Sequence, residues 1–338
     1  MDTVDGYWVG AMRHGRGVDL VALAERMGGF EALKAGGIRP LVAAGVEAAR
    51  ATAWVKTGPE STLGTALTLA DPAYPKRLRA IPGAPPVILC EGAVEVLNRR
   101  AVGVVGTRRC TSYGSSVARS LGSALAAAGV AVVSGLARGV DTHAHRAAVS
   151  FGATIAVLGH GLAYTAPLSN VGLRRAIVER GGLVVSTWLD RVEPRPFRFP
   201  MRNRWIAGLA DAVVVVEAPM RSGALITARQ MLELGREVYA VPGSIRSPVS
   251  AGCNSLIQQG AHPIVDVDAF VAYWGDRPVD RLDEPWVNSL CAGATVDEIA
   301  RHLGRPVAEL LAELTMLELR GEVVRLPGQR YARGGALR

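Results

Sequence analysis

The chain has 338 residues, more than one typical domain needs, and 49% of them are hydrophobic, enough for a substantial core in two or three domains. No window of about 18 apolar residues runs free of charge or of Gly and Pro, so no membrane span is expected. The opening MDTVDGYWVG lacks a signal pattern, and Cys90, Cys110, Cys253 and Cys291 have no short spacing, which argues against a zinc cluster or a disulfide framework. The expectation is a soluble cytoplasmic protein without metal or cofactor. The net charge of +8 is unevenly placed. Residues 1–98 hold 10 basic and 10 acidic side chains, residues 277–338 hold 9 and 9, and residues 99–270 hold 19 and 10. That middle excess of +9, less Asp276, is the whole imbalance, and every basic residue in it is Arg. Arginine suits planar recognition of phosphate and stacking on bases. A genome rich in arginine codons would explain Arg over Lys, but not the segregation of charge.

In chain order, residues 1–70 are Ala/Gly-rich and weakly helical, a small helical domain with no clear helix-hairpin-helix signature. DPAYPKRLRAIPGAPPV (71–87) is a proline-punctuated connector into a domain spanning 71–275. There strand and helix alternate: strand 102–105, helix 113–128, strand 130–133, a helix from about Asp141, strand 154–158, helix 171–180, and strands 183–186, 212–217 and 237–241. Runs such as AVVVVE (212–217) show no polar alternation, as in parallel strands covered on both faces. The fold class is α/β, a doubly wound, mostly parallel sheet, with binding expected at the C-terminal ends of its strands. GDRPVDRLDEP (275–285) predicts a linker over 276–286. In 287–338, Thr295-Val-Asp-Glu298 forms a capping box, Pro306 opens a second helix to about Leu319, and VVRLPGQRYAR turns at Pro327-Gly328. Helix, helix and hairpin make a winged helix.

Four βα segments carry the candidate chemistry. The first, AVGVVGTRRCTSYG (101–114), breaks at glycine as a dinucleotide loop would, but it lacks G-x-G-x-x-G and the second strand does not end in an acid. A phosphate cradle remains: Gly106 for the close turn, the Thr107 hydroxyl, and Arg108 and Arg109 near a helix N-terminus. Two solvated arginines in an ordinary turn would read the same way. The second segment, Ser134-Gly135-Leu-Ala-Arg138-Gly139-Val-Asp141, places another Gly-flanked arginine at the rim, with Asp141 expected to cap the following helix. His143 and His145 are two apart and diverge on a helix, which suits structural or hydrogen-bonding roles better than a metal pair. The third, Arg195-Pro-Phe197-Arg198-Phe199-Pro-Met-Arg202-Asn203-Arg204, interleaves cations with rings as single-stranded nucleic acid requires. One phenylalanine is expected in the core, the other on the opposite side if the segment is extended. In the fourth, Ser222 and Gly223 open a helix that carries Thr227, and its backbone N–H groups suit an anion.

Together these segments resemble the DprA/Smf family of bacterial DNA-processing proteins. The resemblance is carried by GVVGTRRCTSYG (103–114), SGLARGVDTHAH (134–145), TIAVLGHGL (154–162), FPMRNRWIAGL (199–209), VVEAPMRSGALITA (215–228), GREVYAVPGSI (235–245) and GCNSLIQQGA (252–261), in family order. It implies an extended Rossmann-like domain that binds single-stranded DNA, flanked by a SAM/HhH-like N-terminal domain and a winged helix. It also implies a homodimer that protects incoming strands and loads RecA during natural transformation, and it adds Asn170 to the site. The chain departs from the family pattern at Ala163, at Ala166-Pro167, at Ser186-Thr187 and at Pro196, where a basic residue is usual. Arg195 or Arg198 is expected to substitute for that residue.

The leading reading is therefore a non-enzymatic single-strand binder. The competing class is a nucleotide-processing hydrolase with Glu217 as acid or base, though no hydrolase loop, paired carboxylates or triad is discernible. A transcription factor is disfavoured because the second winged-helix helix carries Glu309, Glu313 and Glu318 and no basic residue. That domain is expected to make protein contacts instead. Apolar stretches near Met231–Leu234 and Leu256–Ile257 suit either a dimer surface or the core.

Overall fold

The computed structural model describes residues 2–275, 294–303, 306–319, 323–326 and 330–333. They fall into two compact units, 1–275 and 276–338. The expected linker 276–286, Cys291 and the turn at Pro327-Gly328 lie outside the described residues. Among the described residues no helix is long and apolar enough to cross a membrane.

In the first unit, β1 (Asp2–Val4) pairs antiparallel with β2 (Glu60–Thr62) around five short helices, α1 (Gly6–His14), α2 (Leu20–Met27), α3 (Phe30–Ala35), α4 (Ile38–Ala43) and α5 (Ala48–Val55). Their core centres on Trp54, fully buried among Tyr7, Trp8, Leu33 and Leu41, with its indole N–H donating to the Tyr7 carbonyl at 2.9 Å. An apolar ring whose single donor is satisfied accounts for helix-to-helix packing in a segment whose composition is mostly small residues.

The nine-stranded sheet follows. β3 (Thr65–Thr68), the short α6 (Lys76–Arg79) and β4 (Val87–Gly92) build an antiparallel edge. The βα succession is then β5 (Ala101–Val105), α7 (Ser112–Ala127), β6 (Ala131–Ser134), α8 (Val140–Ala148), β7 (Thr154–Val157), α9 (Val171–Glu179), β8 (Leu183–Ser186), α10 (Arg198–Leu209), β9 (Ala212–Val215), α11 (Gly223–Glu233), β10 (Glu237–Ala240), α12 (Ala251–Gln258), β11 (His262–Pro263) and α13 (Val267–Gly275). The order across the sheet is β11-β10-β9-β5-β6-β7-β8-β4-β3, parallel from β11 to β8. Every residue of β5, β6, β7, β8 and β9 is buried, which is why these strands read as unbroken apolar runs. Met231 and Leu256 belong to the core, while Leu232 is exposed.

The chain winds one way from β5 to β8 and returns to the other side of β5 with β9. The loops leaving β5 and β9 therefore diverge, and that topological switch point opens a crevice at the strands' C-terminal ends. In the second unit, β12 (Ala294–Thr295) leads into α14 (Val296–Leu303), followed by α15 (Val307–Leu319) and the hairpin β13 (Val323–Leu326) and β14 (Arg330–Arg333). The expected capping box is present: Thr295 N–H donates to Glu298 Oε2 at 2.8 Å and Glu298 N–H to Thr295 Oγ1 at 3.3 Å. Val296, Ile299, Leu310, Leu314 and Tyr331 form its core, and Glu318 is exposed.

Candidate nucleic-acid interface

A cavity of about 370 Å³ lies over the C-terminal ends of β5, β6 and β7, on one side of the switch point, lined by Arg108, Arg109, Gly135, Ala137, Arg138, Ala166, Pro167, Phe199 and Arg202. The loop after β5 brings Arg108 and Arg109, the loop after β6 brings Gly135 and Arg138, and α10 brings Phe199 and Arg202. Arg108, Arg109 and Arg138 are exposed. None of these three guanidiniums donates a hydrogen bond to a described residue, so their charge is available to a ligand.

The two loops are locked together at their glycines. Gly139 adopts φ +75°, and a Cβ there would sit 2.3 Å from the Thr107 carbonyl oxygen. Only glycine combines that dihedral with that approach. Beside it, Val140 N–H donates to Thr107 O at 3.2 Å, and Thr107 Oγ1 accepts from Arg109 N–H at 3.2 Å. Leu136, fully buried, holds φ +55°, a strained backbone for a side-chain-bearing residue. Asn170 supports that strained turn: its amide donates to the Leu136 carbonyl at 2.9 Å and to Thr142 Oγ1 at 2.8 Å.

Arg202 is the floor of the cavity and is 3% exposed. Its guanidinium donates to the Gly135 carbonyl at 2.5 Å and to the Val157 carbonyl, tying together the ends of β6 and β7. A Cβ on Gly135 would fall 2.3 Å from Arg202 Nη1, so Gly135 is the residue that admits the guanidinium. Burial, opposed by the neighbouring Asp141, lowers the Arg202 pKa to about 10, which leaves it charged at neutral pH. Asp141 lies within the first turn of α8 rather than capping it. Its carboxylate accepts from Gly135 N–H at 3.0 Å and Ala137 N–H at 3.3 Å, and burial raises its pKa. The helix cap position is Gly139, so the acid serves the preceding loop instead.

Phe199 stands on the wall with its ring close to Gly159, where a Cβ would lie 2.8 Å from the ring, and with the Arg108 guanidinium 5.5 Å from its centroid. The segment is helical from Arg198, not extended, so Phe197 and Phe199 do not alternate between core and solvent. Phe199 is half-buried in the cavity, and Phe197 is 58% exposed under the Arg198 guanidinium.

Several expected site residues are turned elsewhere. The Ser134 hydroxyl is buried and donates to the Val104 carbonyl at 2.7 Å. Arg198 donates to the Glu193 carbonyl, Arg195 lies 3.6 Å from the Glu193 carboxylate, and Arg204 donates to the Pro82 carbonyl. Thr227 is buried in α11, whose N-cap Ser222 accepts from Ala224 N–H at 3.3 Å. Asn203 donates to the Gly223 carbonyl at 3.1 Å, joining α10 to the start of α11 beside the cavity. His145 is fully buried, paired through Nδ1 with Thr154 Oγ1 at 2.7 Å, and burial lowers its pKa to about 3. It is a structural histidine. Ala137, Ala166 and Pro167 line the cavity without having been expected, because small apolar residues in loops carry no signal of their own in the sequence.

A doubly wound sheet that gathers exposed arginines and one aromatic ring in a cavity at the C-terminal ends of its strands defines a Rossmann-like protein with a cationic cleft. The model of the family DNA recombination-mediator protein A matches residues 65–275, and that of the DprA winged helix domain matches residues 292–329. The chain belongs to this DprA family of DNA-processing recombination mediators. Protein Smf of Escherichia coli (strain K12) is 38% identical over 275 residues, spanning 75% of this chain and 74% of that protein. The X-ray structure of DNA processing protein A from Streptococcus pneumoniae is similar with a TM-score of 0.65 and 32% identity, over 80% of this chain and 98% of that one. DNA processing protein A from Helicobacter pylori, in a structure described for its single-stranded DNA binding mode, gives a TM-score of 0.57 and 27% identity over 63% and 97% of the two chains.

Proposed function

We propose that this chain is a cytoplasmic, non-enzymatic binder of single-stranded DNA that acts as a homodimer, protects incoming strands and loads RecA onto them during natural transformation. The observation that carries this reading is the convergence of Arg108, Arg109, Arg138 and Phe199 on one cavity, in a chain of the recombination-mediator family. The exposed guanidiniums meet phosphates, and a base stacks on Phe199 when Arg108 leaves the ring for a phosphate. Each neutralised phosphate releases counterions, so log affinity falls with log salt by about 0.7 per contact on single strands.

The hydrolase reading is weakened by the commitment of Glu217. It is 2% exposed, does not line the cavity, and both of its carboxylate oxygens accept from Thr111, whereas a general base must be within hydrogen-bond reach of its substrate. In the same reading α15, acidic and without a basic residue, faces protein partners rather than duplex DNA.

The test is a fluorescence-anisotropy titration of a labelled single strand and its matched duplex across a salt series, with wild type and Arg108→Ala/Arg109→Ala. A single-strand preference lost in the double variant is expected. Equal, weak binding by both proteins would overturn the cleft assignment and point to a small nucleotide ligand. Added RecA should raise the anisotropy further at concentrations that leave the naked oligonucleotide free.

A further inference from the structure

Glu217 does not line the cavity, yet it is built into the loop that presents two of the cavity's arginines. It follows β9 directly, is 2% exposed, and faces the loop leaving β5 across the switch point. Its Oε1 accepts from the Thr111 hydroxyl at 2.6 Å, and its Oε2 accepts from Thr111 N–H at 2.8 Å. Its own carbonyl accepts from Thr107 N–H at 2.6 Å. One residue thus grips both ends of the stretch 107–111, with Arg108 and Arg109 between the two grips. The first turn of α7 is seated on the same carboxylate: a Cβ on Gly114 would lie 2.3 Å from Oε2.

We propose that Glu217 is a positioning residue for strand binding, which sets the spacing and direction of the Arg108 and Arg109 guanidiniums by holding Thr107 and Thr111. The inference rests on the cleft reading above. It runs against simple charge arithmetic. A carboxylate beside a polyanion site repels the ligand, so if only the field mattered its removal would tighten binding. Removing the side chain leaves the backbone carbonyl on Thr107 and frees Thr111, and a loop released at that end must be ordered by the ligand, a cost that opposes binding. Glutamine preserves the grip, since its carbonyl accepts from Thr111 N–H and its amide donates to Thr111 Oγ1, which already accepts from Gly114 N–H at 3.2 Å. Alanine has neither group.

The experiment is the same salt series on the full chain with wild type, Glu217→Ala, Glu217→Gln and Arg108→Ala/Arg109→Ala, each with a thermal melt. Glu217→Ala should bind the single strand more weakly, with a log–log salt slope shallower by about 1.4, two phosphate contacts at about 0.7 each. Glu217→Gln should keep the wild-type slope and bind at least as tightly. The proposal is overturned if Glu217→Ala binds as tightly as wild type with an unchanged slope, or if Glu217→Gln loses as much as Glu217→Ala. An arginine variant that binds like wild type would instead remove the cleft reading itself, and this inference with it. Should Glu217→Ala not fold, Thr111→Val against Thr111→Ser makes the same comparison. The Val variant is then expected to lose slope and the Ser variant to keep it, and equal slopes would end the idea.

Discussion

Arg108, Arg109 and Arg138 sit on two loops with their guanidiniums in solvent, whereas Arg195, Arg198, Arg202 and Arg204 each meet a protein oxygen. Both groups belong to the same basic block of the chain, but of the second only Arg202 lines the cavity. The difference is one of backbone. The βα loops leave Arg108, Arg109 and Arg138 exposed, while on α10 Arg198 and Arg202, four residues apart on one face, and Arg204 each reach a backbone carbonyl. A guanidinium that finds carbonyls becomes structural, and one that does not, as in Arg108, Arg109 and Arg138, keeps its donors exposed. The number of arginines in a segment is therefore a poor guide to its usable charge.

The comparison breaks first at Arg202. Arg202→Ala would leave the Gly135 and Val157 carbonyls without their donor and the buried Asp141 without its neighbouring positive charge. We expect a loss of about 3 kcal/mol of stability in chemical denaturation, in keeping with truncation of a buried charged group. Both carbonyls accept from the one nitrogen Nη1, so Arg202→Lys, whose ammonium also carries several N–H donors, should recover part of the loss. Unchanged stability would mean that Arg202 belongs with the solvent-facing arginines.

The second prediction sets the loops against the helix directly. Arg108→Ala/Arg109→Ala should flatten the salt slope by about 1.4, whereas Arg195→Ala/Arg198→Ala should leave it nearly unchanged. Phe199→Ala should cost roughly 1–3 kcal/mol of single-strand affinity at constant slope, the worth of one stacked base, and Phe197→Ala much less. A slope change in the Arg195/Arg198 pair would show that this pair replaces the basic residue missing at Pro196.

The smallest effect is on pH. His145 lies beneath the cavity floor with its pKa lowered to about 3 by burial, while the unfolded chain titrates near 6.5. Between these values the unfolded state binds a proton that the native state refuses, so stability falls as pH falls, by about 1.4 kcal/mol per pH unit for one such group. Buried Asp141, with its pKa raised, acts in the opposite sense at the acid end. Denaturation midpoints at pH 7.5 and 5.5 should differ in wild type and differ less in His145→Gln. The arginine rim keeps its charge throughout.

The parallel strands, the helices over 113–128 and 171–180 and the capping box were legible in the sequence because each depends on neighbours a few residues away, whereas the cap of α8 and the helix α10 were not. The cluster of Arg108, Arg109, Gly135 and Arg138 was legible for the same reason: strand-loop-helix punctuation places those loops at one end of a parallel sheet. The roles of Glu217, Asp141, Arg202 and Arg204 were not. Three are settled by partners far along the chain, Thr111 for Glu217, Gly135 for Arg202 and Pro82 for Arg204, and Asp141 by a loop that turns back on it, through Gly135 and Ala137. A charged side chain reads alike in the sequence whether it meets solvent or a carbonyl. Only the folded backbone, which places those carbonyls, decided which arginines bond to it and which stay exposed at the cavity.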